Sequence, residues 1–276
     1  MSGGVPLAGV IGDPIAHSKS PKLHGHWLRH FGIAGHYVPL HVASGDLPAV
    51  LAAMPRMGFV GANVTIPHKE SVMSLCDSLS DTARRIGAVN TLSWNADGKL
   101  HGDNTDAYGF IENLTQTAAG WQARGQTALV LGAGGASRAV IVALLDAGVA
   151  QIVLTNRSMG RAEALAAEFG TRIRVAAWGD TENHVAQAGL LVNTTSLGMA
   201  GQEALPFSLA NISPRCLVTD IVYNPLETPL LAAARAMGCP VVDGLGMLLH
   251  QAVPGFERWF GTRPIVDAKT RAAVLG

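Results

Sequence analysis

Four short segments gather hydrogen-bonding side chains in an otherwise apolar chain. They are Ser18-Lys19-Ser20-Pro21, Asn63-Val64-Thr65-Ile66-Pro67-His68-Lys69, Gly87-Ala88-Val89-Asn90-Thr91 and Gly102-Asp103-Asn104-Thr105-Asp106. Ser, Thr and Asn are neutral donors and acceptors, suited to an uncharged polyhydroxylated ring or a single carboxylate. Lys69 and Asp106 supply one ionisable pair. Reduction of a ketone needs a hydride donor and a proton donor for the developing alkoxide, and a lysine ammonium held by a carboxylate can give that proton. Each segment also has a purely structural reading: Ser18 and Thr65 as helix caps, Asp106 as a negative charge in the first turn of a helix. Four together make a site the stronger reading. Each follows an expected strand or opens an expected helix, and loops at the carboxyl ends of parallel strands are where α/β proteins bind ligands.

A second constellation is Gly132-Ala133-Gly134-Gly135-Ala136-Ser137, between an apolar strand and an amphipathic helix. In that context a glycine pattern becomes a dinucleotide site. Gly132 permits the tight turn, Gly134 lets the backbone approach a pyrophosphate, and the helix N-terminus offers N–H groups and a positive dipole end. Ser137 stands where the usual fingerprint has Gly or Ala. At the end of the next strand a free ribose 2′-OH calls for an acid and a 2′-phosphate for Arg. This chain has Asn156-Arg157-Ser158 with Arg161 one turn on and no acid, so the expected cofactor is NADP(H). The structural alternatives are a plain strand–turn–helix glycine cluster and an Arg157 that is only a solvated charge.

These segments need elements to hold them, and the chain alternates short β-branched runs with amphipathic stretches. That pattern predicts an α/β fold, a parallel sheet with helices on its faces. Strands are expected at 7–11, 36–42 and 62–66, helices at 21–31, 47–57 and 69–79, and a hairpin from 88–94 and 99–102 around Asp97-Gly98. A helix over 105–116 leads into a small polar segment, 117–125, read as a domain boundary. Beyond it strands are expected at 127–131, 151–155, 172–176, 190–193, 216–222 and 240–242. Helices are expected at 137–147, 159–169, 228–237 and 247–260, with another after Pro264.

Composition narrows the function classes. The 276 residues carry 20 acidic and 20 basic side chains, only 14 % charged and 48 % hydrophobic. Disorder needs the opposite balance. A net charge of zero argues against nucleic acid gripped through phosphates and gives no reason to expect an anionic membrane surface. No apolar run approaches the ~20 residues that span a bilayer, and no secretory signal is visible. The three cysteines, Cys76, Cys216 and Cys239, are scattered and odd in number, so a reducing cytoplasm is expected rather than a disulfide framework. His26 and His30 lie one helical turn apart, but a third ligand at a recognised spacing is missing, and no metal is expected.

Taken in order over nearly the whole length, the polar segments resemble the shikimate dehydrogenase family. The resemblance extends through Gly-Ala-Gly-Gly-Ala and Asn-Arg-Ser to Asn193-Thr194-Thr195-Ser196-Leu197-Gly198-Met199 and Tyr223-Asn224-Pro225. It ends with Asp243-Gly244-Leu245-Gly246-Met247-Leu248-Leu249-His250-Gln251-Ala252.

The resemblance implies NADPH-dependent reduction of 3-dehydroshikimate to shikimate, in aromatic amino acid biosynthesis. It implies that Ser18 and Ser20 hold the substrate carboxylate and that Thr65, Asn90, Asp106 and Gln251 bind ring hydroxyls, with Tyr223 also reaching the substrate. Lys69 is the implied acid/base with Asp106 beside it. Gly132, Ala133, Gly134, Gly135 and Ala136 match the pyrophosphate loop, and Asn156, Arg157, Ser158 and Arg161 the 2′-phosphate clamp. Thr195, Ile221, Gly244 and Met247 match positions lining ribose and nicotinamide, and Asp81 an acidic position associated with the cofactor. Read alone, Gln251 is a polar residue on an apolar helix and Met247 core filler. The implied architecture is a substrate domain, 1–106, completed by C-terminal helices, 245–276, with a Rossmann-like NADP domain, 107–244, between them and the active site in the cleft. Partners are then small molecules, with a monomer or homodimer expected. A dual quinate/shikimate dehydrogenase and a non-catalytic NADP- or shikimate-sensing protein of the same fold are the rival readings.

Overall fold

The computed structural model describes residues 4–276. The chain forms two compact units, one of residues up to Asp106 together with Leu249–Gly276, the other of Ala107–Leu248.

The first unit contains β1 (Leu7–Gly12), α1 (Ser20–His30), β2 (His36–His41), α2 (Leu47–Ala53), β3 (Phe59–Val64), β4 (Ser78–Leu79), α3 (Asp81–Ile86), β5 (Thr91–Trp94) and β6 (Leu100–Asp103). Its six-stranded sheet has the order β2-β1-β3-β5-β6-β4. β1 runs parallel to β2 and β3, whereas β3–β5 and β5–β6 are antiparallel. The sheet is therefore mixed rather than parallel throughout. β1 is apolar on both faces because it lies inside the sheet; β2 lies at the edge, where Pro39 removes no ladder donor the sheet needs. Asn95 closes the expected hairpin, its Oδ1 accepting from Asp97 N at 3.0 Å and Lys99 N at 2.9 Å, with Gly98 at φ 75°.

Three local expectations shift. The strand expected at 62–66 begins earlier, at Phe59, directly after Gly58 turns the chain at φ 88°. The helix expected over 69–79 is a 3₁₀ turn, Ser71–Leu75, followed by β4. Here Asp77 decides: its N–H donates to Leu100 O at 2.9 Å and its carboxylate accepts from Leu100 N at 2.7 Å, pulling the chain onto the sheet edge. The short α3 was not foreseen; Ser80 caps it, accepting from Ala83 N at 3.0 Å, and Gly87 ends it at φ 72°.

The helix α4 (Asp106–Thr117) opens the second unit, followed by β7 (Thr127–Leu131), α5 (Gly135–Asp146), β8 (Gln151–Thr155), α6 (Met159–Phe169), β9 (Ile173–Ala176), α7 (Thr181–Val185), β10 (Leu190–Asn193), β11 (Leu217–Asp220), α8 (Pro229–Ala236) and β12 (Val241–Val242). The six strands are all parallel in the order β12-β11-β10-β7-β8-β9. This is the doubly wound order of dinucleotide-binding sheets, with the switch point between β7 and β10. Leu129, Leu131, Leu191 and Val218 fill the core beneath α8, as a parallel sheet covered on both faces requires. The helix α9 (Leu245–Phe260) returns the chain to the first unit, and α10 (Ala268–Leu275) ends it. Within that unit a Cβ on Gly61 would run into the Trp259 indole, whose Nε1 donates to Leu92 O at 2.9 Å. Glycine at position 61 thus lets α9 sit directly on β3.

Candidate active site

In the first unit three of the four polar segments meet through their backbones before their side chains. Val64 N donates to Asn90 O at 2.8 Å, Val89 N to Lys69 O at 2.8 Å and Asn90 N to Asp103 O at 3.0 Å. Lys69, in the loop after β3, thereby faces Asp106 at the start of α4, with Nζ donating to Oδ2 at 2.6 Å. The other carboxylate oxygen accepts from Asn90 Nδ2 at 2.8 Å, and that same amide lies 3.3 Å from Gln251 Oε1 on α9. Asn90 Oδ1 accepts from Thr91 Oγ1 at 2.8 Å and Thr105 N at 2.9 Å, which fixes its flip. The pair is partly shielded, with side-chain exposures of 25 % for Lys69 and 12 % for Asp106. One end of the ammonium is held and the rest can face a ligand.

Asp103 anchors the segment that carries Asp106. Burial pushes its carboxyl up, but hydrogen bonds from Ser80, Arg258 and Asn104 N outweigh this and hold it below the ordinary carboxylate range. Ser80 Oγ donates at 2.5 Å and Arg258 Nη2, from α9, at 2.9 Å.

Ser18 and Ser20 lie at the start of α1, where Ser20 N donates to Ser18 Oγ at 3.3 Å. Ser18 is half-buried and Ser20 buried. Tyr37, on β2, donates to Asn63 Oδ1 at 2.7 Å. Thr65 is half-buried over Gly12, whose Cβ would meet Thr65 Cγ2 at 2.6 Å, and its hydroxyl forms no hydrogen bond among the described residues. Asp81, in this unit rather than the second, is 99 % exposed and paired with Arg84 at 3.1 Å.

The second unit holds the other candidates. Gly132 follows β7 at φ 105°, and a Cβ there would meet Thr194 Oγ1 at 2.7 Å. Gly134 and Gly135 face open space, and the first turn of α5 has no side-chain cap. Ser137 does not obstruct: it turns back, donating to Gly134 O at 2.6 Å. Asn156 joins this loop to the end of β8, accepting from Ala133 N at 3.2 Å and donating to Ser158 O at 2.8 Å. Arg157 and Arg161 are exposed and form no ion pair among the described residues. Bare N–H groups, a helix N-terminus and two uncommitted guanidinium groups fit the phosphates of NADP.

Beyond β10 and β11 lies a support the sequence reading did not assign. Asp220, fully buried, accepts from Asn193 Nδ2 at 3.0 Å, Val222 N at 3.0 Å and Thr228 Oγ1 at 2.8 Å. Burial raises its carboxyl pKa against those hydrogen bonds. Asn193 Oδ1 in turn accepts from Thr195 N at 3.0 Å and Thr195 Oγ1 at 2.7 Å, and Ile221 N donates to Asn193 O at 3.1 Å. A Cβ on Gly244 would strike the Ile221 carbonyl, so Thr195, Ile221 and Gly244 are gathered at one end of the sheet. Met247 and Tyr223 are half-buried nearby in sequence, and burial raises the Tyr223 phenol. The missed residues left unequal signals. Asn63, Thr91 and Thr105 lie inside the polar segments, Asp220 ends an apolar strand, and Tyr37 gave none.

A doubly wound parallel sheet with a glycine turn and phosphate-ready arginines in one unit, and a lysine–carboxylate pair in the other, define an NADP-linked oxidoreductase. Comparisons with known proteins agree. Residues 10–92 match the shikimate dehydrogenase substrate binding domain, 113–201 the shikimate / quinate 5-dehydrogenase model and 244–274 the shikimate 5′-dehydrogenase C-terminal domain. The chain is 59 % identical over 271 residues to a shikimate dehydrogenase (NADP(+)) of Cereibacter sphaeroides, covering 98 % of this chain and 97 % of that one. Among solved structures, shikimate 5-dehydrogenase of Thermus thermophilus in complex with NADP(H) and shikimate is 39 % identical, with a TM-score of 0.87 and 99 % of each chain covered. Quinate dehydrogenase of Corynebacterium glutamicum in complex with NAD is 33 % identical, with a TM-score of 0.92 over 98 % of this chain and 99 % of that one. The chain belongs to the shikimate dehydrogenase family.

Proposed function

We infer that this chain catalyses the reversible NADPH-dependent reduction of 3-dehydroshikimate to shikimate, a step in aromatic amino acid biosynthesis. The observation that carries the mechanism is the Lys69–Asp106 pair, 2.6 Å apart, with Asn90 on the other carboxylate oxygen. The nicotinamide, when bound, supplies the hydride. Lys69 gives its proton to the oxygen of the developing alkoxide, and in the reverse direction takes the hydroxyl proton. Asp106 holds the Lys69 side chain in place, and Asn90 and Gln251 offer amide groups to the ring hydroxyls. Ser18 and Ser20 receive the carboxylate through neutral hydrogen bonds. The Gly132–Ala136 turn and α5 hold the pyrophosphate. Arg157 and Arg161 hold the 2′-phosphate, and Thr195, Ile221, Gly244 and Met247 line the ribose and nicotinamide. Thr65 and Tyr223 complete the substrate contacts, and Asp81 is assigned to the cofactor on family resemblance alone. The protein acts on small molecules, in the cytoplasm, as a monomer or homodimer. Light scattering tests the last point.

Following NADPH consumption by absorbance with 3-dehydroshikimate and 3-dehydroquinate in parallel, then repeating with NADH, separates the readings. Turnover of 3-dehydroshikimate with NADPH is expected to dominate. Comparable turnover of 3-dehydroquinate would make the enzyme dual, a reading favoured by the likeness to a quinate dehydrogenase. Binding of shikimate without any turnover would make it a sensor.

A further inference from the structure

Tyr37, Asn63 and Thr91 are polar and buried, on β2, β3 and β5. The sheet register gathers them. Asn63 stands directly opposite Thr91 in the antiparallel β3–β5 pair, so their side chains share a face. Tyr37 is opposite Ala8 on β1, a side chain small enough for the phenol to reach across to β3. A row of polar groups inside a sheet is costly unless each finds a partner, and here each one does.

Groups that can act in only one way fix the direction of these hydrogen bonds. The Asn90 carbonyl only accepts, so the Asn63 atom 3.1 Å from it is Nδ2, and Asn63 Oδ1 takes the one proton of Tyr37 at 2.7 Å. Asn63 Nδ2 also donates to Thr91 Oγ1 at 3.2 Å. The backbone N–H of Thr105 only donates, so the Asn90 atom 2.9 Å from it is Oδ1. The single proton of Thr91 has two acceptors in reach, Asn90 Oδ1 at 2.8 Å and Thr105 Oγ1 at 3.2 Å, and the shorter contact is to the amide. Thr105 places its own proton on Gln251 O at 2.7 Å. Asn90 Nδ2 then donates to Asp106 Oδ1 at 2.8 Å. From Tyr37 through Asn63, Thr91 and Asn90 to Asp106, every donor points toward the carboxylate that holds Lys69. Hydrogen bonds aligned head to tail polarise one another, and this row ends on a charge.

We propose that Thr91 is a positioning residue for the proton-transfer pair, its hydroxyl locking the Asn90 amide with Nδ2 on Asp106 so that the other carboxylate oxygen is kept for Lys69. The terminal torsion of an asparagine is broad and roughly two-fold, so the side chain alone does not choose between its two orientations. The reversed amide would set a carbonyl oxygen against the carboxylate and leave the Thr91 and Thr105 donors facing an NH₂ group. Thr105 N supports the observed orientation from the backbone; Thr91 supplies the side-chain part that a substitution can remove. The inference rests on the proposed function, since it takes Lys69 as the proton donor.

The test is steady-state kinetics with 3-dehydroshikimate and NADPH for wild type, Thr91→Val, Thr91→Ser, Asn90→Ala and the Thr91→Val, Asn90→Ala double variant. Valine keeps the β-branch that suits β5 and removes only the hydroxyl. Asn63 Nδ2 retains Asn90 O, and Asn90 Oδ1 retains Thr105 N. Thr91→Val is expected to lower kcat/KM for 3-dehydroshikimate about tenfold and to change KM for NADPH less than about twofold. Thr91→Ser, which restores the hydroxyl, is expected to stay within about twofold of wild type. In the Asn90→Ala background Thr91→Val is expected to cost less than about twofold more, because its target is gone. Equal losses in the two backgrounds, a serine variant as slow as the valine variant, or an unchanged kcat/KM in Thr91→Val would overturn the proposal. A second measurement needs no variant. Neutron diffraction from wild-type crystals grown in D₂O should place the Thr91 deuteron on the line to Asn90 Oδ1. A deuteron aimed at Thr105 Oγ1 sinks the proposal even if Thr91→Val fails to fold. Wild type that does not turn over 3-dehydroshikimate removes the functional reading and the proposal with it. Wild-type turnover with an undiminished valine variant removes only Thr91.

Discussion

Lys69 and Asp106 are 37 positions apart in the chain and 2.6 Å apart in space. Truncating the lysine removes the proton donor while leaving the neutral carboxylate and hydroxyl contacts. Lys69→Ala is therefore expected to lower kcat by about 10²-fold or more with a smaller change in KM. Steady-state kinetics with 3-dehydroshikimate decide, and an unchanged kcat would take Lys69 out of the mechanism. Arg157 poses the matching question for the cofactor. Its guanidinium is exposed and uncommitted, so Arg157→Ala should raise KM for NADPH far more than for NADH. Equal losses with both cofactors would show that it does not read the 2′-phosphate. Both candidates were legible in the sequence, because each sits in a short segment that stands out from its apolar surroundings. Tyr37 was not: a tyrosine in an alternating strand reads as packing, and only the fold shows what its hydroxyl touches.

At the scale of elements, the ends of β10 and β11 depend on one buried carboxylate. Asp220 is the common acceptor for a side chain on β10, a backbone N–H after β11 and the cap of α8. Asp220→Ala strands three buried donors, each costing about 1–3 kcal/mol when unmade. A loss of about 3 kcal/mol or more in denaturant unfolding is expected, together with weaker NADPH binding, because Asn193 then no longer holds the Thr195 hydroxyl. Wild-type stability in that variant would show the network to be dispensable. Most elements were readable from periodicity and glycine stops. Beside the unforeseen short helices α3 and α7, the stretch 69–79 was misread as a helix because its local pattern is helical while its partner, Leu100, lies in a strand it meets only in the folded chain.

At the scale of the whole molecule, net neutrality conceals a division of charge. The lysines are Lys19, Lys22, Lys69, Lys99 and Lys269, so the second unit carries arginine alone. Charge also enters through groups the fold keeps neutral. Burial lowers His24 from 6.5 to about 3 and His250 from 6.5 to about 4. The unfolded chain takes up these protons near pH 6.5 and the folded chain refuses them until far lower pH. The stability they contribute is full above pH 6.5 and lost as pH falls toward the folded values. Each should cost about 2 kcal/mol between pH 7 and pH 5. Urea unfolding at the two pH values measures this, and a His24→Gln variant that keeps the full pH slope would exclude His24 from it.

By itself the sequence determined the fold class and the cofactor and picked out the residues of two candidate sites, because glycine turns, strand-end arginines and clustered amides express local requirements that short segments satisfy alone. Tertiary structure decided the pairings. It set Asn90 between Asp106 and Gln251, linked Asp220 through Asn193 to Thr195, drew 78–79 onto β6 and set the Tyr37 hydroxyl against Asn63. The physical reason is range. A hydrogen bond acts over about 3 Å, and which groups come within it depends on strand order and helix packing that no local pattern encodes.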